Sequence, residues 1–108
     1  MGCQSNTEFK SVDAQQFAEV IADNNVQLVD ARTPEEFNEG HIPGAVNIDV
    51  KGENFDAKVA ELDKSRPVAV YCRSGRRSKV AAERMTNAGL NVTELSEGIL
   101  SWKGEVVK

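Results

Sequence analysis

The sequence predicts an α/β protein, a parallel sheet with helices packed on its faces. Three observations carry this expectation. Strand-like apolar runs alternate with helix-patterned segments along the chain, the order produced by strand–helix–strand crossovers. The chain has 108 residues and a mass of 11.8 kDa, enough for one hydrophobic core and too little for two. Hydrophobic residues make up 40% and charged residues 28%, a globular balance that argues against disorder.

The elements follow in order. Residues 1–7, Met1-Gly2-Cys3-Gln4-Ser5-Asn6-Thr7, are small and polar without apolar periodicity, and read as a disordered leader to a domain over residues 8–108. Asp13 followed three positions later by Gln16 is a capping-box pattern. Phe17, Val20 and Ile21 then recur at helical spacing, predicting a helix from Ala14 to Asp23. Val26 to Asp30 is a short apolar run ending in a charge, hence a buried strand. Thr33 and Glu36 form a second capping box, with Pro34 at the first helical position and Gly40 ending the short helix. The turn His41-Ile42-Pro43-Gly44 leads into a strand over Ala45 to Ile48. Phe55, Val59 and Leu62 predict a helix over Asn54 to Leu62, and Val68-Ala69-Val70-Tyr71 is the strongest strand signal in the chain. A helix over Ser78 to Ala88 ends at Gly89, a strand covers Val92 to Leu95, and a short helix covers Gly98 to Trp102.

Composition removes several classes of function. No apolar stretch approaches the ~20 residues of a transmembrane helix. Thirteen Lys and Arg against 17 Asp and Glu give a net charge of −4, which disfavours nucleic acid as a partner. With Cys3, Cys72 and the single His41, a disulfide scaffold, a four-Cys zinc site and a Cys/His zinc finger are all excluded. Neither metal nor cofactor is expected, and Cys72 is the obvious reactive group.

Cys72 ends a strand, and ligands of parallel sheets gather at the carboxyl ends of strands. The loop that follows, Cys72-Arg73-Ser74-Gly75-Arg76-Arg77-Ser78-Lys79, places four cations within seven residues of the cysteine in a chain that is acidic overall. Gly75 allows the loop to curl with its N–H groups inward, and the next helix adds its positive end. These groups together favour thiolate over thiol and predict a pKa below the free value of roughly 8.5. A lone buried cysteine is more often inert, and an Arg-rich turn is more often plain solvated surface. Their coincidence at a strand–loop–helix junction favours a nucleophile beside an anion cradle. His41 would serve as a base only if its turn folded over the loop; the preferred reading is that it orders its own turn by bonding to backbone. A thiolate made electrostatically suits transfer of a weakly bonded atom better than amide hydrolysis, whose leaving amine needs a proton donor.

Four fragments, in this order and spacing, resemble the rhodanese superfamily over about Phe9 to Trp102. They are Leu28-Val29-Asp30-Ala31-Arg32-Thr33-Pro34-Glu35-Glu36-Phe37, Gly40-His41-Ile42-Pro43-Gly44-Ala45-Val46-Asn47-Ile48, Val70-Tyr71-Cys72-Arg73-Ser74-Gly75-Arg76-Arg77-Ser78, and Glu97-Gly98-Ile99-Leu100-Ser101-Trp102. Glu97 stands where a glycine is frequent in that family, with no effect on chemistry expected. The resemblance implies a three-layer α/β/α domain with a central, mostly parallel five-stranded sheet. It also implies a sulfurtransferase: Cys72 takes a sulfane sulfur from thiosulfate or a persulfide donor, then passes it to a thiol or protein-cysteine acceptor. Backbone N–H groups from Arg73 to Arg77 would stabilise the persulfide, while Arg73, Arg76 and Arg77 attract the anionic donor and Ser74 and Ser78 offer hydroxyls. Asp30, Arg32, Glu36 and His41 would be scaffold, with Arg32 pairing with Glu36 and Asp30 accepting backbone hydrogen bonds.

Two alternatives stay open. Phosphatases and arsenate reductases on a related fold use Cys-x5-Arg, which would put arginine at position 78; here Ser78 stands there and the arginine is Arg77. A non-catalytic interaction module is the other, against which the presence of Cys72 counts. A monomer is the default. If Met1-Gly2 are residues appended to a chain that starts at Cys3, the start resembles a mature bacterial lipoprotein with a lipid anchor on Cys3, periplasmic or membrane-attached; otherwise the domain is cytoplasmic. Myristoylation at Gly2 is disfavoured by Asn6, where Ser or Thr is wanted.

Overall fold

The computed structural model describes residues 8–108, so the leader and Cys3 lie outside the described residues. Asp13 accepts from the Gln16 backbone N–H while the Gln16 side chain accepts from that of Asp13, closing the cap of α1 (Ala14–Ile21). Thr33 and Glu36 do the same for α2 (Pro34–Glu39). Both helices begin where the sequence places them because two otherwise orphaned N–H groups are satisfied at each start.

The strands are β1 (Lys10–Val12), β2 (Gln27–Asp30), β3 (Val46–Asn47), β4 (Val68–Tyr71) and β5 (Val92–Leu95), with α3 (Phe55–Ala60) and α4 (Arg76–Asn87) between them and a 3₁₀ turn at Ile99–Ser101. They form one sheet in the order β1-β5-β4-β2-β3, every pairing parallel. Local pattern located four of these strands. It gave no sign of β1, a three-residue edge strand with only Val12 apolar, held by pairing to β5.

The sheet has helices on both sides. Val29, Val68, Val70 and Val92 pack with Phe55 and Val59 of α3 and Ala81, Ala82 and Met85 of α4. Leu28, Ala69, Tyr71 and Leu95 pack on the other face with Phe17 of α1, Ile42, Ile99 and Trp102. Strand side chains alternate with a period of two, so everything on β4 and β5 is assigned to one face or the other. Cys72, two residues beyond Val70, belongs to the α3/α4 face, and so does Glu94, two beyond Val92. Leu28, and hence Asp30 and Arg32, belong to the face of Tyr71.

Candidate functional site

Helix α4 starts two residues earlier than the sequence pattern suggests, with Gly75 as its N-cap at φ +103°. Gly75 has no side chain to cap the helix, and its own N–H donates to the Cys72 Sγ at 3.1 Å. Burial pushes the Cys72 thiol up, but the Ser78 hydroxyl and the backbone N–H groups of Ser78, Gly75 and Ser74 outweigh it, and the thiol lies below its ordinary value. The residue is only 1% exposed. The segment after Gly98 lies against the start of the loop: the Ile99 N–H bonds the Cys72 carbonyl at 2.9 Å and the Leu100 N–H bonds that of Arg73 at 3.2 Å.

Two glycines make this close approach possible. A Cβ on Gly75 would collide with the Ser96 carbonyl, and one on Gly98 with the carbonyl of Arg73. Gly98 is also at φ +72°, a conformation that disfavours any residue with a side chain. The glycine that the loop needs is therefore Gly98, and the exposed Glu97 beside it is outside this constraint.

The four cations are not one collar. Arg77 forms a two-pronged ion pair with Glu36, at 2.7 and 3.0 Å. Lys79 donates to the Ser96 carbonyl at 2.9 Å and to Gly75 O and Glu94 Oε2 at 3.3 Å. Arg73 and Arg76 are exposed, and neither forms a salt bridge among the described residues. Of the three arginines expected to hold the donor, Arg77 is engaged by Glu36, while Arg73 and Arg76 are exposed.

The expected pairing of Arg32 with Glu36 is also corrected. Arg32 Nη2 bonds Asp30 Oδ2 at 2.7 Å and the Gly40 carbonyl at 2.7 Å, with its guanidinium 5.7 Å from the Tyr71 ring centre. Asp30 does accept a backbone bond, from the Arg32 N–H at 2.9 Å. This cluster lies on the sheet face opposite Cys72, as strand alternation requires, and it fixes the Gly40-His41 turn. His41 stacks on Phe37 with ring centres 3.8 Å apart, and its Nδ1 donates to the Phe37 carbonyl at 2.9 Å. The imidazole serves its own turn, and the Cys–His alternative finds no support in its geometry.

Arg77 first, and the Thr33 backbone and hydroxyl after it, hold the Glu36 carboxyl down at about 2 against the opposing effect of burial. A depressed carboxylate stabilises the fold above its unfolded pKa of about 4.3, and that contribution is lost as pH falls through about 2. The pair is partly exposed, so about 1–2 kcal/mol is the expected size. Urea unfolding of wild type and Glu36→Gln should differ by that amount at neutral pH and converge in acid. A difference that is the same at both ends would show that the pair is not its source.

Sequence reasoning missed Glu94, which is fully buried. It accepts from Ser78 Oγ at 2.6 Å, from Ser11 Oγ at 2.6 Å and from Lys79. The available signal was strand alternation: in Val92-Thr93-Glu94-Leu95, the acid shares the inward parity of Val92. Among the described residues no three His, Cys, Asp or Glu side chains gather to hold a metal ion, and no helix is long and apolar enough to cross a membrane.

Comparison with known proteins adds to this geometry. A family model described as "Rhodanese-like domain" matches residues 13–105. The thiosulfate sulfurtransferase GlpE of Shewanella oneidensis is 33% identical over 97 residues, covering 89% of this chain and 94% of that protein. A sulfurtransferase of Allochromatium vinosum is 36% identical over 93 residues, covering 84% and 85%. The crystal structure of a rhodanese-related protein from Thermoplasma volcanium superposes with a TM-score of 0.81 at 30% identity, covering 92% of this chain and 98% of that one.

Proposed function

The chain belongs to the rhodanese-like domain family, and from that membership we propose that it moves a sulfane sulfur from an anionic donor to a thiol, with Cys72 as the carrier. Its likeness to several named sulfurtransferases supports activity of this kind at the family level. The observation that carries the specific reading is the sulfur of Cys72 seated on the Gly75 N–H at the start of α4.

In the first half-reaction the Cys72 thiolate attacks the outer sulfur of thiosulfate. A new S–S bond forms, the donor's S–S bond breaks, and sulfite leaves with that bond's electrons. The Cys72 persulfide keeps one negative charge, which the amides of Ser74, Gly75 and Ser78 stabilise as an oxyanion hole stabilises oxygen. In the second, an acceptor thiolate attacks the outer sulfur and Cys72 leaves as thiolate. Neither half requires protonation of a leaving group, which fits a site whose only imidazole is occupied elsewhere. Exposed Arg73 and Arg76 attract the anion, and a sulfur so deeply set favours a donor with a single projecting atom. A Cys-x5-Arg phosphate cradle would need arginine at 78, where Ser78 is buried on Glu94.

The test uses the full chain with thiosulfate. Intact mass should show the gain of one sulfur, located on Cys72 by peptide mapping, and cyanide should then release thiocyanate. Hydrolysis of p-nitrophenyl phosphate or reduction of arsenate, without persulfide, would replace this reading by the phosphatase-like one. No turnover in any assay would leave an interaction module.

A further inference from the structure

The loop after Cys72 carries four cations, and the one nearest the sulfur on its far side is balanced by an acid from another helix. Arg77 directly precedes Ser78, whose Oγ lies 3.4 Å from Cys72 Sγ, and its guanidinium meets both oxygens of Glu36. Glu36 reaches it because β2 and β4 are parallel neighbours with Asp30 abreast of Tyr71. The segment leading to α2 and the Cys72 loop therefore leave the sheet at the same edge. The side chains of Arg77 and Glu36 are only 21% and 25% exposed, so solvent ions screen this pair less than a surface pair. Arg77 is held in its charged form first by the hydrogen bond to Glu36, against burial, and then by the charges of Glu36, Cys72 and Asp49. The sulfur is thus within electrostatic reach of a guanidinium that an anion already occupies.

We propose that Glu36, acting through Arg77, sets the charge selectivity of the transfer site: it cancels the Arg77 charge beside Cys72 and leaves anions to exposed Arg73 and Arg76. Glu36 is thus a positioning residue, since it touches no reacting atom. The inference deepens the sulfur-transfer reading and rests on it. The first half-reaction brings one anion to the sulfur, thiosulfate, and releases another, sulfite. A lone guanidinium beside the sulfur would hold donor and product alike. Such uniform binding gains nothing once donor is plentiful, and it slows the product's departure. Paired with Glu36, the guanidinium becomes one end of a dipole, whose field falls off faster than that of a free cation. Arg73 and Arg76 still steer anions inward, but in open solvent salt weakens their hold.

The test compares alkylation of Cys72 by iodoacetate, an anion, and by iodoacetamide, its neutral counterpart, in the full chain, with Cys3 resolved by peptide mass spectrometry. The same thiolate attacks both reagents, so their rate ratio cancels changes in thiolate fraction and access and reports local charge. Glu36→Gln keeps a residue type that closes a capping box with Thr33 and removes the charge that balances Arg77. Its iodoacetate-to-iodoacetamide ratio should rise about threefold to tenfold at low salt and return toward wild type at high salt. Arg77→Gln leaves Glu36 unbalanced and should lower the ratio by a similar factor. The double variant restores neutrality and should match wild type. With thiosulfate, Glu36→Gln should lower KM and tighten inhibition by sulfite. Should Glu36→Gln fail to fold, Arg77→Gln and the double variant carry the same comparison. An unchanged ratio in the folded single variants, or a double variant as displaced as either one, would overturn the proposal. The expected ratios beside failed persulfide formation from thiosulfate would remove the transferase reading alone.

Discussion

Replacing Cys72 by Ser should abolish sulfur transfer altogether. A serine hydroxyl in this loop stays protonated at neutral pH, and oxygen forms no persulfide, so no carrier exists for the second half-reaction. A fall of at least about a thousandfold is expected, ~4 kcal/mol of lost transition-state stabilisation. The fold should survive. A serine oxygen can accept from the Gly75 N–H that now reaches Sγ, so the start of α4 keeps its partner. Thiocyanate release, intact mass and circular dichroism together separate loss of chemistry from loss of structure. A one-sulfur gain in Cys72→Ser equal to that of wild type would move the carrier to Cys3 and refute the assignment.

The second large effect is expected at Gly98, remote from the sulfur in sequence. Its added Cβ would strike the Arg73 carbonyl, a backbone atom, while the residue is held at φ +72°. Backbone cannot rotate aside as a flexible side chain can, so the loop must move and with it the bonds from Ile99 and Leu100 to Cys72 and Arg73. Gly98→Ala should lower kcat/KM by about a hundredfold, the effect of a small misplacement of reacting groups, and cost about 1–3 kcal/mol of stability. Gly44→Ala is the matched control: it has φ +87° but nothing within 4 Å of the added Cβ. It should lose only about 1 kcal/mol through backbone strain and keep its activity. If both variants lose activity equally, close contact between the Gly98 segment and the loop is not what positions the sulfur.

The sequence by itself determined the fold class, most of the elements and the place of Cys72 at a strand end before a helix. These are local matters. Capping boxes at Asp13 and Thr33, and the apolar run Val68 to Tyr71, act over three or four residues. Only the tertiary structure decided which charges meet. Glu36 and Arg77 are 41 residues apart, and Ser78 and Glu94 are 16 apart; whether such groups touch depends on strand order, register and the parity of each side chain across the sheet. Arg32 was therefore expected on Glu36 and found on Asp30, on the opposite face. β1 is an edge strand held by pairing with β5, a partner more than eighty residues away by register, so nothing in its own three residues announced it.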